Sequence, residues 1–215
     1  MDHSVELHGY KYSVYNRIAR LALEEKAIPY TTVEVNPFDP PIPESYLAMQ
    51  PFGRVPVLCH NGFTLYETSA ITRYIDSTFD GLDLTPSSPV AAARMAQVIA
   101  IIDHYGYWPM VRQVFVERVC NPTEGLPLSE EVISEGLEAS KAVLTALEAI
   151  ARERLVLDPG EMTLADCHLA PMIDYFTAAQ DGADLLARFP ALSAWWADAS
   201  VRPAFVRTDP GLLAN

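Results

Sequence analysis

Three short stretches carry residues suited to holding or activating an anion. Ser13 stands where a loop gives way to a helical pattern, so its hydroxyl and the helix N-terminus can act on one negatively charged atom. Thr68 and Ser69 open a second helical pattern, where free backbone N–H groups and the helix dipole favour a carboxylate. Between them lies the string Gln50-Pro-Phe-Gly-Arg-Val-Pro56. Each stretch also has a plain structural reading: Ser13 and Glu67-Thr68 cap helices, and Pro56 shapes a turn. No carboxylate pair, zinc-ligand spacing or phosphate loop competes with them. Cys59, Cys120 and Cys167 are odd in number, far apart and without a C-x-x-C pair, which fits buried thiols in a reducing compartment. The loop Gly9 to Arg17 contains no cysteine, so disulfide exchange at the first helix is not expected.

These stretches need elements to hold them. Val5 to His8 is a β-favourable run closed by Gly9. From Ser13 the pattern is helical, with Val14, Ile18, Leu21 and Ala22 on one face, and it ends near Lys26, before Ile28-Pro29. Tyr30 to Val35 alternates as a second strand, which completes a βαβ unit. Pro37, Pro40, Pro41 and Pro43 forbid regular structure until a short helical turn around Ser45 to Met49. Val57 to Cys59 and Phe63 to Tyr66 flank His60-Asn61-Gly62, a strong hairpin signal. Helical spacing returns with Ala70, Ile71, Tyr74 and Ile75 and stops near Gly81. The spacing therefore predicts βαβ–ββα, a mixed four-stranded sheet with helices on its faces.

Leu82 to Pro89 is rich in turn formers and reads as a linker. Everything beyond it is helical. Pro89 opens a long helix with Met95, Val98, Ile99 and Ile102 on one side, expected to be disturbed at Gly106 and Pro109. Ser129 opens another, Thr163-Leu-Ala-Asp166 is a capping-box-like start for a helix to about Ala179, and a last helix begins after Pro190.

Taken together, the Gln50–Pro56 string, the hairpin and Tyr66-Glu-Thr-Ser-Ala-Ile71 resemble the glutathione-binding signature of the cytosolic glutathione transferases, and the resemblance covers the whole chain. Arg17-Ile-Ala-Arg-Leu-Ala-Leu-Glu-Glu-Lys26 is most similar to the serine-type classes, the phi/theta-like bacterial members among them. The resemblance implies an α/β thioredoxin-like N-terminal domain over residues 1–81, a linker over 82–88 and an all-α C-terminal domain over 89–215 that contributes the electrophile pocket. It further implies a glutathione transferase that joins the glutathione sulfur to an electrophilic, largely apolar small molecule in detoxification. Glutathione is then co-substrate, no metal is needed, and the chain forms a homodimer. Alternatives on the same scaffold are a glutathione-dependent isomerase, dehalogenase or lyase, or a binding protein without turnover.

By the same resemblance each residue acquires a role. A free thiol with a pKa near ~8.5 is mostly protonated at neutral pH, so Ser13 is the donor that stabilises the thiolate. Tyr10, Tyr12 and Tyr15 crowd its loop; one of them is the donor instead, or Tyr12 and Tyr15 line the acceptor pocket with Tyr105, Trp108 and Phe115. A cis Pro56 would turn Val55 outward to receive an extended peptide as an added strand. Glu67, Thr68 and Ser69 would hold the γ-glutamyl end. Two departures stand out. Thr68 replaces the usual serine, and Pro40-Pro-Ile-Pro43 occupies the place of the basic or amide residue that holds the glycine carboxylate. Arg54 or Lys11 is left to substitute for that anchor, and the glycine end is expected to be loosely held.

Charge narrows the partners. With 28 acidic and 15 basic side chains among 215 residues the formal charge is −13, which repels phosphate backbones and anionic lipid, so neither nucleic acid nor membrane is expected. The excess is milder through Asp80, with six basic and ten acidic side chains, than beyond it, with nine and eighteen. The start lacks a signal-peptide pattern, and no apolar run approaches the ~20 residues of a membrane span, so a cytoplasmic protein is expected. Asp103 is a weak candidate for reaching a ligand's amino group across a dimer interface. His168, alone in an apolar helix, reads as a core residue.

Overall fold

The computed structural model describes residues 4–211. The chain divides into two compact units, one formed by Met1–Leu84 together with Pro203–Asn215 and the other by Thr85–Arg202.

In the first unit, β1 (Val5–Gly9) leads into α1 (Val14–Glu25), followed by β2 (Thr31–Glu34), the one-turn α2 (Glu44–Leu47), β3 (Val57–His60), β4 (Phe63–Tyr66) and α3 (Thr68–Thr78). The sheet order is β2-β1-β3-β4, with β1 and β2 parallel and the other pairs antiparallel, which is the expected mixed sheet. α1 and α3 pack against each other and bury Ile18, Leu21, Ala22, Ile71 and Ile75. Asn61 and Gly62 both have positive φ, 51° and 81°, the pair of left-handed conformations that a two-residue hairpin requires. Between α1 and α3 lies a buried ion pair, Lys26 Nζ to Asp76 Oδ1 at 3.2 Å, which also bonds to main chain. Lys26 Nζ donates to Leu82 O (2.9 Å) and Leu84 N–H donates to Asp76 Oδ1 (2.9 Å). The start of the expected linker is therefore fixed to this unit, with Leu84 fully buried.

In the second unit α4 (Pro89–Ile101) does not break at Gly106 or Pro109. It continues as two π-helical segments, π1 (Ile102–Gly106) and π2 (Trp108–Cys120), into a last turn, α5 (Asn121–Thr123). Hydrogen bonds reach back five residues, from Tyr107 N–H to Ile102 O and from Asn121 N–H to Val116 O. The wider turn moves the carbonyl that a proline ring would otherwise strike, which is why Pro109 is tolerated. Next come α6 (Glu130–Glu153), α7 (Leu164–Ala178), α8 (Gln180–Leu186) and α9 (Pro190–Ala199). π2 lies against α6 and α7. At Gly136 of α6 a β-carbon would come within 3.0 Å of the Pro109 carbonyl, so glycine permits that approach. The Thr163–Asp166 capping box forms, and the buried Asp166 also accepts from Trp195 Nε1 (2.7 Å).

The sequence reading assigns residues 89–215 to the helical domain, and here the structure differs. α10 (Pro203–Arg207) belongs to the first unit and packs on α1. The Arg17 guanidinium, 1% exposed, lies 4.2 Å from the Phe205 ring centroid, and its Nε donates to Thr208 Oγ1 (3.3 Å). Arg20 donates to the carbonyls of Thr208 and Arg207, and Arg207 pairs with Glu24 at 2.7 Å. A buried arginine on α1 must find acceptors, and the end of the chain supplies them.

Candidate active site

The register of the sheet decides where the candidate residues meet. His8 of β1 pairs with Val57 of β3, and Val57 pairs with Tyr66 of β4. The end of β1, the start of β3 and the end of β4 thus share one edge. From that edge depart the Ser13 loop, the segment before Val57, and the start of α3. The β3–β4 ladder ends at Val57 and Tyr66, so the segment before β3 and the start of α3 leave neighbouring strands at the same end.

Ser13 is the N-cap of α1, with φ −74° and ψ 124°, and its Oγ accepts the Asn16 N–H at 3.3 Å. That bond occupies an oxygen lone pair and leaves the hydroxyl proton without an acceptor among the described residues. The turn before it is closed by Ser13 N–H donating to Tyr10 O (2.9 Å). Tyr10 stands edge-on to Tyr12 and Phe38, and Lys11 Nζ lies 5.1 Å from the centre of the Tyr12 ring. Tyr12 is exposed and Tyr15 half-buried.

The segment before β3 is clamped from two sides. Buried Gln50 accepts from Phe52 N–H (2.7 Å) and Arg54 N–H (3.2 Å) through Oε1, and Tyr46 of α2 donates to Arg54 O at 2.6 Å. Burial pushes the Tyr46 phenol pKa up, so it stays a donor. Gly53 takes φ 61°, which closes this loop, and the Val55–Pro56 peptide is cis. Arg54 itself is exposed and makes no ion pair among the described residues.

Glu67 precedes α3 with φ 71° and ψ 113°, a left-handed conformation that a non-glycine residue adopts at a cost of order 1–3 kcal/mol. Its exposed side chain makes no capping bond to α3. Thr68 is buried and Ser69 half-buried in the first helical turn, whose N–H groups face outward. Among the described residues this end of the sheet therefore carries two helix N-termini, the basic residues Lys11 and Arg54, the carboxylates of Glu67 and of Glu34, whose Oε1 accepts the Lys11 N–H at 3.0 Å, and a serine proton. That arrangement suits an extended ligand with carboxylates at its ends and an anion to be stabilised in its middle.

The proposed pocket residues of the helical unit are less uniform. Tyr105 and Trp108 are 68% and 63% exposed. Phe115 is 3% exposed with its ring 4.6 Å from that of Tyr175, so it belongs to the core of its unit and not to a pocket wall; helical spacing alone does not tell a core phenylalanine from a pocket one. Asp103 is half-buried, and His168 is wholly buried. Among the described residues no group of His, Cys, Asp and Glu could hold a metal ion, and no helix is long and apolar enough to cross a membrane. Cys59 is half-buried with Met49 Sδ at 4.0 Å, and burial raises the Cys120 thiol pKa to about 11. Sequence reasoning does not single out Asn16, Tyr46 or the brace role of Gln50. The one available signal is a polar side chain inside a Gly- and Pro-rich loop.

Residues 7–83 match the family model "Glutathione S-transferase, N-terminal domain", and residues 130–209 match "Glutathione S-transferase, C-terminal domain". The chain is 31% identical to glutathione S-transferase F13 of Arabidopsis thaliana over 97% of this chain and 96% of that protein. It belongs to the glutathione S-transferase family. Among solved glutathione transferases, the fold is similar to glutathione S-transferase III in its apo form, with TM-score 0.82, 28% identity and 95% of each chain covered. It is equally similar to glutathione transferase F7 of Populus trichocarpa, with TM-score 0.81, 28% identity and 97% and 99% covered. The thioredoxin-like sheet followed by a helical unit is thus the glutathione transferase fold, and the chain is an enzyme of that family whose general reaction conjugates glutathione to electrophiles.

Proposed function

We propose that the shared sheet edge binds glutathione and that Ser13 activates its thiol toward an electrophilic, largely apolar small molecule. The observation that carries this reading is a Ser13 cap placed at the sheet end from which the segment before β3 and the start of α3 also depart: its oxygen is taken by α1 and its proton is left for an anion. The cysteinyl part of the tripeptide adds to the Val55 main chain as a short strand beside Pro56. The γ-glutamyl carboxylate takes the first turn of α3 and the hydroxyls of Thr68 and Ser69, while its ammonium group meets Glu67. Arg54 faces the other carboxylate. The thiol releases its proton to solvent, and the thiolate, held by the Ser13 O–H, attacks the electrophile; a C–S bond forms and the leaving group departs with its electron pair. Tyr12 and Tyr15 offer aromatic surface beside the sulfur, and Tyr105 and Trp108 are exposed aromatics available to an apolar substrate. The reaction suits a cytoplasmic homodimer with a detoxifying role, and sedimentation velocity at micromolar concentration checks the dimer.

Two variants separate activation from binding in a conjugation assay with an aromatic electrophile. Ser13→Ala lowers turnover by roughly 10²–10³, the loss of one donor to a developing anion, and raises the pH midpoint of the reaction. Thr68→Ala instead weakens glutathione by about 1–3 kcal/mol in calorimetric titration, because a carboxylate loses a charge-assisted hydrogen bond. A wild-type rate in Ser13→Ala overturns the serine assignment.

A further inference from the structure

Asn16 holds the Ser13 turn at both ends. Its main-chain N–H donates to Ser13 Oγ (3.3 Å), and its side-chain Nδ2 donates to Tyr10 O (3.1 Å), the carbonyl that also receives Ser13 N–H (2.9 Å). The amide is 4% exposed, and its Oδ1 accepts no hydrogen bond among the described residues. The opposite amide orientation would set two acceptors face to face at Tyr10, so the donor assignment follows from the geometry. On its other side the amide lies against bare backbone. A β-carbon built on Gly9 would stand 2.1 Å from Asn16 Oδ1 and 2.4 Å from its Cγ. Gly9 is not among the positive-φ glycines, so what requires glycine here is space for the amide.

A buried slot of this kind is better filled for stability by an apolar side chain than by a half-satisfied amide. We propose that Asn16 is a positioning residue for Ser13: wedged between Gly9 and the Tyr10 carbonyl, it fixes the turn so that the Ser13 oxygen faces α1 and its proton faces the ligand thiol. This deepens the Ser13 reading and rests on it.

The test is the pH profile of conjugation in Asn16→Ala, Asn16→Asp and Gly9→Ala, each with a melting curve and a calorimetric glutathione titration. Asn16→Ala keeps the main-chain cap but removes the brace. It should raise the thiol midpoint in kcat/KM by about one pH unit, which is about tenfold in rate at neutral pH, with glutathione Kd within about twofold. Asn16→Asp has the same shape but offers Tyr10 O an acceptor, so it should show the same shift. Gly9→Ala should do likewise, and should cost less in the Asn16→Ala background, where the collision is gone. A folded Asn16→Asp with the wild-type profile, beside an impaired Ser13→Ala, shows that Asn16 only packs and overturns the proposal while the Ser13 reading stands. A fully active Ser13→Ala overturns both.

Discussion

A serine that caps a helix gives its oxygen to the helix and keeps its proton, and among the described residues this happens three times. Ser88 caps α4 and Ser129 caps α6 by bonds like that of Ser13 to α1. Cap chemistry alone therefore does not mark an active serine. Ser13 differs from the other two in its place at the sheet end where β3 begins and β4 finishes, and in the Asn16 amide bonded to the turn before it. The Ser13 cap is legible from residue type and place in the sequence, whereas the hydrogen bonds of Asn16, Gln50 and Tyr46 are not, because a brace has no spacing of its own and exists only once the loop has folded. His168 makes a prediction at the same scale. Burial lowers its pKa from 6.5 to about 3. The unfolded chain takes up a proton below pH ~6.5, while the folded chain refuses it until about pH 3. The folded state thus has its full stability above pH ~6.5 and loses about 1.4 kcal/mol per unit as pH falls toward 3. Urea unfolding between pH 4 and 7 should show a shallower decline for His168→Gln; parallel curves would sink the assignment.

Elements with a local cause were readable in advance. The Asn61-Gly62 hairpin, the Ser13 and Ser129 caps and the Thr163–Asp166 box all rest on residues within a few positions of one another. The π-helical run through Gly106 and Pro109 was not, because a proline reads as a breaker unless the turn widens, and that widening goes with packing against α6. The Lys26–Asp76 pair likewise joins two helices across 50 residues of chain. Its side chains are almost wholly buried, so Lys26→Met should destabilise the protein by about 3–5 kcal/mol by taking the ammonium group from the Asp76 carboxylate. Lys26→Met combined with Asp76→Leu should cost less than either change alone, as read by urea denaturation. Simple additivity in that cycle would show the pair to be uncoupled.

At the scale of the whole molecule, α10 joins the first unit and not the helices that precede it in sequence, for a physical reason. Short α10 carries no long-range signature, and its destination is set by Arg17 and Arg20 near the other end of the sequence. Stopping the chain after Arg202 removes Phe205 and Thr208 and leaves the buried Arg17 guanidinium without them. The truncated protein should lose about 3 kcal/mol or more, roughly 6–12 °C in Tm, and Phe205→Ala should reproduce a large part of that loss. An unchanged melting curve would mean that α10 is an ornament on α1. The return of α10 also makes the first unit discontinuous, with Thr85–Arg202 as an insert between its two parts. On the ribosome the helix bearing Ser13 emerges early, yet Phe205 and Thr208, which meet its buried arginine, are made only after the entire insert. The unit that bears Ser13 is therefore the first begun and the last completed, and until α10 arrives Arg17 lacks the Phe205 ring and the Thr208 hydroxyl.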